Sequence, residues 1–177
     1  MKKTFRFYIL ILAAFMSFSS CQEADTIIER EKKAKAEIEQ FTREISTWNK
    51  DDFVKNGVTI EGDPSNLPVR EFYKGIYAEL GVLVDIRTPK EFAQASIPDA
   101  ISIDFYSKNF KEEFSKLDKE QPVFIYCRTG VRSAKATKVL SDMGYQVYNL
   151  KKGFMDWIKF GLPIEGELDY GAGEEGC

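Results

Sequence analysis

A chain of 177 residues with 44% hydrophobic and 14% aromatic content has the apolar mass for one buried core, which excludes a disordered polymer. Its formal net charge of −3 gives no electrostatic basis for binding nucleic acid, and three cysteines cannot build a disulfide framework. Histidine is absent, so a nucleophile in this chain is activated without an imidazole.

Met1 to Ser20 opens with Lys2, Lys3 and Arg6, runs apolar from Phe7 to Phe18, and closes on Ser19 and Ser20 ahead of Cys21. That order predicts an export signal over 1–20. The apolar run is short for a membrane span, which takes about 20 residues. Small residues directly before a cysteine resemble the bacterial lipoprotein signal. The resemblance implies lipidation of Cys21 and export, with the chain held by its lipid on a bacterial membrane and facing the periplasm or the exterior. Gln22 in place of an aspartate favours the outer membrane. The alternative is an ordinary signal cut nearby, which leaves Cys21 as a free thiol.

Residues 21–57 read as an amphipathic helix and spacer. Between Ala24 and Asp51, Ala34, Ile38, Phe41, Ile45 and Trp48 recur at alternating spacings of four and three, which places them on one helical face. The seam is shorter than the three or four heptads a coiled coil sustains, so it is expected to be a packing face. Gly57 and the stretch Glu61 to Asn66 read as loop, and the domain proper is expected over 58–164.

From there helical and strand patterns alternate. Val69 to Leu80 is a helix stopped at Gly81, and Val82 to Ile86 a short apolar strand ending near Asp85. Thr88 to Glu91, "TPKE", is a capping box with proline at the first helical position, which starts a helix. Ile101 to Ile103 is a strand and Asn109 to Leu117 a helix. Val123 to Tyr126, "VFIY", is a buried-type strand, followed by a helix from Ser133 to Met143 that stops at Gly144. Val147 to Leu150 is a further strand and Gly153 to Phe160 a last helix. Residues 165–177 form an acidic, glycine-rich tail ending in Cys177. Short apolar strands alternating with helices predict an α/β fold, its parallel sheet covered on both faces and its ligands gathered where strands end.

Cys127 lies at such a strand end. Ala136, Val139, Leu140 and Met143 give the following helix one inward face, so its N-terminus, with free amides and the positive end of the dipole, points back at the thiol. A turn through Thr129 and Gly130 curls further amides around the sulfur as an anion nest. A free thiol with a pKa of about 8.5 is roughly 3% ionised at neutral pH, and helix N-termini and cations lower that pKa to about 3.5–7.5. Arg128 projects where an incoming anion arrives, whereas Arg132 is expected to brace the loop through its carbonyls or Asp85. Asp85, ending a strand, is expected to orient the loop or pair with an arginine, and Arg87 to do the same from the other side, both as structural support.

The run "CRTGVRS", Cys127 to Ser133, resembles the active-site loop of the rhodanese family, C-x-x-G-x-R-S. "VDIRTPKEF", "SIPDAISI" and "NLKKGFMDWIKFGLPI" resemble its other signatures in order, with Ser96 where a histidine is usual and Lys152 where a glycine is common. The resemblance implies about five mostly parallel strands flanked by helices, preceded here by a long N-terminal helix. It also implies sulfurtransfer through a Cys127 persulfide, from a small anionic donor such as thiosulfate to a thiol or cyanide. Arg128, Thr129, Gly130, Val131, Arg132 and Ser133 would bind the substrate, with neither metal nor organic cofactor. Cell-cycle dual-specificity phosphatases resemble the family in fold but place five residues between cysteine and arginine. Here four intervene, a cradle sized for one sulfur atom. Two other readings stand beside the transferase: a membrane-tethered binding module that never turns over, and thiol redox work with Cys177.

Overall fold

The computed structural model describes residues 26, 29, 30, 32–49 and 57–168. The expected signal over 1–20, the lipidation candidate Cys21, and Cys177 lie outside the described residues. The chain divides into two compact units, Met1–Thr47 and Trp48–Cys177.

In the first unit a helix, α1, runs over 32–45. Of the predicted stripe Phe41 is buried and Ala34, Ile38 and Ile45 are half-buried, while most residues between them are exposed. The helix stops short of the expected Asp51. The Ser46 and Thr47 hydroxyls donate to the carbonyls of Arg43 and Glu44, each at 2.7 Å, so side chains take over where helical amides would have continued. Trp48 therefore leaves the helical stripe. It lies in the second unit, its ring centroid 5.8 Å from Tyr73 and 5.6 Å from Tyr77.

The second unit begins with a 3-10 turn, Pro64–Asn66, and continues as α2 (Val69–Tyr77), β1 (Val82–Asp85), α3 (Pro89–Gln94), β2 (Ala95–Ser96), β3 (Ile101–Ser102), α4 (Phe110–Phe114), β4 (Val123–Tyr126), α5 (Val131–Asp142), β5 (Val147–Asn149), α6 (Gly153–Lys159) and β6 (Glu165–Gly166). β3, β1, β4 and β5 form a four-stranded parallel sheet in that order, and β2 pairs antiparallel with β6. Where about five mostly parallel strands were expected, four form this sheet among the described residues. Beyond β5 the described residues add a single parallel bridge, Leu67 to Leu150. Pro68 has no amide to extend the ladder, and α2 begins at the next residue.

Strand alternation sends β4 to two cores. Val123 and Ile125, with Cys127 beyond them, face a cluster containing Phe110 and Phe114 of α4 and Ala136 and Leu140 of α5. Phe124 and Tyr126 face the other way, Phe124 against Phe72 of α2 at 5.5 Å and Tyr126 against Phe154 of α6 at 5.9 Å. Both faces of the sheet are therefore covered, as its short apolar strands require. The chain leaves β1 for β3 on one side and β4 for β5 on the other. This reversal opens a crevice at the carboxyl ends of β1 and β4. Asp85 ends the first of these strands, and Cys127 follows the second.

Candidate active site

Cys127 is fully buried at the floor of a loop whose amides point inward. Gly130 donates its backbone N–H to the sulfur at 3.2 Å, and the Ser133 hydroxyl lies 3.4 Å from it. Burial raises the thiol pKa, but hydrogen bonds from the Ser133 side chain and from the backbones of Ser133, Thr129 and Gly130 outweigh it, leaving the pKa below the ordinary thiol value. The helix starts two residues before the expected Ser133, so Val131, Arg132 and Ser133 are the first turn of α5, with Gly130 at its N-cap. Gly130 has φ +87°, and a Cβ there would meet the Lys151 carbonyl oxygen at 2.1 Å. The turn therefore needs glycine twice over, for its handedness and for its close approach.

The loop rests on the start of α6. Phe154 donates its amide to the Cys127 carbonyl at 2.8 Å, and Met155 to the Arg128 carbonyl at 3.0 Å. Loop and closing motif are thus one unit, which the sequence presented as two separate signatures.

Arg132 does not bind loop carbonyls or Asp85, as expected above. It forms a two-pronged pair with Glu91, at 2.9 Å from Nη1 and 2.7 Å from Nη2, and its guanidinium lies 5.8 Å from the Tyr106 ring centroid. Glu91 also completes the capping box of α3, accepting from the Thr88 amide at 3.1 Å and the Thr88 hydroxyl at 2.9 Å. Its carboxyl is held at about 2, chiefly by the Arg132 hydrogen bonds. The capping signal was legible in "TPKE". The partner was not, because it stands 41 residues away.

Asp85 and Arg87 bind each other. Arg87 Nε donates to both Asp85 oxygens at 3.0 and 2.9 Å and Nη2 to Oδ2 at 2.6 Å, while Nη2 also reaches the Ala95 carbonyl at 2.6 Å. The guanidinium lies 4.2 Å from the Phe154 ring centroid. This buried pair fastens the end of β1 to α6, under the thiol loop. Arg128 is exposed, as is Thr129, and the Arg128 guanidinium has no partner among the described residues. Val131 is also exposed. The described residues hold no cluster of His, Cys, Asp or Glu suited to a metal ion.

Removing the Ser133 hydroxyl tests the cradle. A hydrogen bond to a charged group contributes about 1.5–3 kcal/mol, which corresponds to one or two units of thiol pKa. Ser133→Ala is expected to raise the pH midpoint of Cys127 alkylation by about that much, read peptide by peptide by mass spectrometry. An unmoved midpoint would mean that the backbone amides alone hold the sulfur.

A parallel α/β domain with a buried, amide-cradled cysteine at its switch point defines a class of thiol-nucleophile domains. Within that class the comparisons are specific. The rhodanese-like domain model matches residues 69–160, and the chain belongs to that family. It is 44% identical over 84 residues to a sulfurtransferase of Allochromatium vinosum, covering 47% of this chain and 77% of the relative. It is 33% identical over 88 residues to a thiosulfate sulfurtransferase of Actinobacillus pleuropneumoniae, covering 49% of this chain and 80% of the relative. A rhodanese-related protein from Thermoplasma volcanium superposes with a TM-score of 0.52 at 26% identity, over 58% of this chain and 98% of that one.

Proposed function

We propose that the chain is a sulfurtransferase carrying a sulfane sulfur on Cys127. The observation that carries this reading is the sulfur itself, which receives the Gly130 amide at 3.2 Å and has the Ser133 hydroxyl at 3.4 Å, in a chain without histidine. Hydrogen bonds of this kind keep a thiolate populated without a base. The thiolate attacks the outer sulfur of thiosulfate. A new sulfur–sulfur bond forms on Cys127 as the donor's own breaks, and sulfite leaves with the bonding pair. The persulfide anion then sits where the loop amides and Arg128 offset its charge. A thiolate or cyanide attacks the outer sulfur, and Cys127 departs as a thiolate, ready for another donor.

Mass spectrometry of the full chain after thiosulfate treatment is the test. A gain of one sulfur on the Cys127 peptide, lost on adding cyanide, is expected. With the fold intact, absence of that gain would leave a loop that binds without turnover.

We also propose that the protein is exported and lipid-anchored to a bacterial membrane at Cys21, facing the periplasm or exterior, with the outer membrane favoured by Gln22. Its support is the order of basic, apolar and small residues ahead of Cys21. Cys21→Ser should abolish incorporation of labelled fatty acid into the chain. Labelling that persisted in the variant would rule out that anchor.

A further inference from the structure

Beside the loop lies a cleft of about 210 Å³ lined by Arg87, Glu91, Gln94, Arg128 and a run of apolar side chains from α6 and beyond. Its charges are not equal in what they offer. Arg87 is tied to Asp85 and Glu91 to Arg132, so both are already neutralised. Arg128 has no side-chain partner among the described residues, and it stands directly after the reacting cysteine. Behind it, Phe154, Met155, Ile158 and Leu168 make an apolar wall, and Met155 keeps 45% of its surface in water. Inorganic thiosulfate and cyanide leave such a wall unused. A cleft of about 210 Å³ has room for a small molecule carrying a short alkyl group.

Resting on the sulfurtransferase reading, we propose that this cleft is an acceptor subsite for a thiol bearing a carboxylate and an apolar side chain on the same carbon. The thiolate attacks the outer sulfur of the Cys127 persulfide, the carboxylate pairs with Arg128, and the alkyl group lies along Phe154, Met155, Ile158 and Leu168. In the transfer the acceptor gains a sulfur–sulfur bond, the bond to Cys127 breaks, and Cys127 keeps the electron pair as thiolate. Acceptor choice then depends on α6, outside the cysteine loop, and rises with the apolar area the acceptor brings.

The experiment loads the full chain with thiosulfate, verifies the Cys127 persulfide by mass, and measures its discharge by 2-mercaptocarboxylates from mercaptoacetate to 2-mercaptohexanoate. The expected result is a kcat/KM that climbs by up to about 4-fold per methylene, the ratio equivalent to ≈0.8 kcal/mol per buried CH₂. Each acid should exceed its uncharged amide, and Arg128→Ala should remove that advantage. Ile158→Asp, which charges the wall, should flatten the climb. Met155→Ser, at an exposed position, tests the same wall should Ile158→Asp fail to fold. A kcat/KM flat in chain length, or a climb that survives both wall variants, would overturn the subsite. Failure to form any persulfide would instead strike the sulfurtransferase reading, and the mass measurement separates the two.

Discussion

Gly153→Ala is expected to destabilise the second unit by about 2–5 kcal/mol and to leave Cys127 unable to take up sulfur. Gly153 has φ +61°, a left-handed conformation in which an L side chain costs about 1–2 kcal/mol. A Cβ there would lie 2.3 Å from the Cys127 carbonyl oxygen and 2.7 Å from the Gly130 amide nitrogen. Both are backbone atoms, so the clash cannot be relieved by turning a side chain, and overpacking of this kind adds about 1–3 kcal/mol. Relief means lifting the loop off α6, which stretches the bonds from Phe154 and Met155 to the Cys127 and Arg128 carbonyls. Gly161 supplies the control. Its φ is +63°, but a Cβ there meets nothing within 4 Å, so Gly161→Ala should show the conformational part alone and retain sulfur uptake. Urea denaturation of both variants, with sulfur loading of Cys127, makes the comparison. Equal destabilisation would mean that the seat of the loop on α6 yields more easily than the geometry implies.

The contrast between these two glycines shows what a sequence carries and what it withholds. The alternation of "VLVDI" and "VFIY" with helical patterns is local, and the strands and helices it predicted formed close to their expected ends. The Gly130 amide at the Cys127 sulfur was legible for the same reason, three residues on, whereas the Ser133 hydroxyl beside that sulfur was not foreseen. Partnerships across the fold were not legible either. Glu91 read as a helix cap because its local role is complete in four residues, and nothing in that pattern announces a second role 41 residues on. Asp85 pairs with an arginine as expected, Arg87 two residues on, but the reach of Arg87 to the Ala95 carbonyl and over the Phe154 ring lay outside the local pattern. The N-terminal helix ended early because two hydroxyls captured carbonyls, a competition that a hydrophobic stripe does not register. The cleft behind Arg128 was invisible for a different reason. Its wall joins Phe154, Met155 and Ile158, inside the closing motif, to Leu168, which lies beyond every motif that marks the family.

The pair between Glu91 and Arg132 should dominate how stability falls in acid. The Glu91 carboxyl is held at about 2 in the folded chain, against an ordinary value of 4.5. A carboxyl whose folded pKa is depressed contributes stability that is complete above the unfolded value and lost as pH falls through the folded one. The window is therefore about pH 5 down to pH 2. With Glu91 26% and Arg132 17% exposed, the contribution is about 2 kcal/mol once partial screening is allowed for. Glu91→Gln isolates it, because glutamine still reaches the Thr88 amide and keeps the capping box. At neutral pH the variant should be less stable than the parent by about that amount, and the gap should close as pH falls through the window. The freed Arg132 has a second consequence. Its guanidinium interacts with the Cys127 charge, and without its carboxylate it becomes an uncompensated cation at the sulfur. The alkylation midpoint of Cys127 should then move down in Glu91→Gln, opposite to its rise in Ser133→Ala. Chemical denaturation from pH 7 to pH 2 and the two alkylation profiles test both halves. A stability gap that stayed constant across the window would show that the carboxylate acts through packing, with its charge of no consequence to the loop.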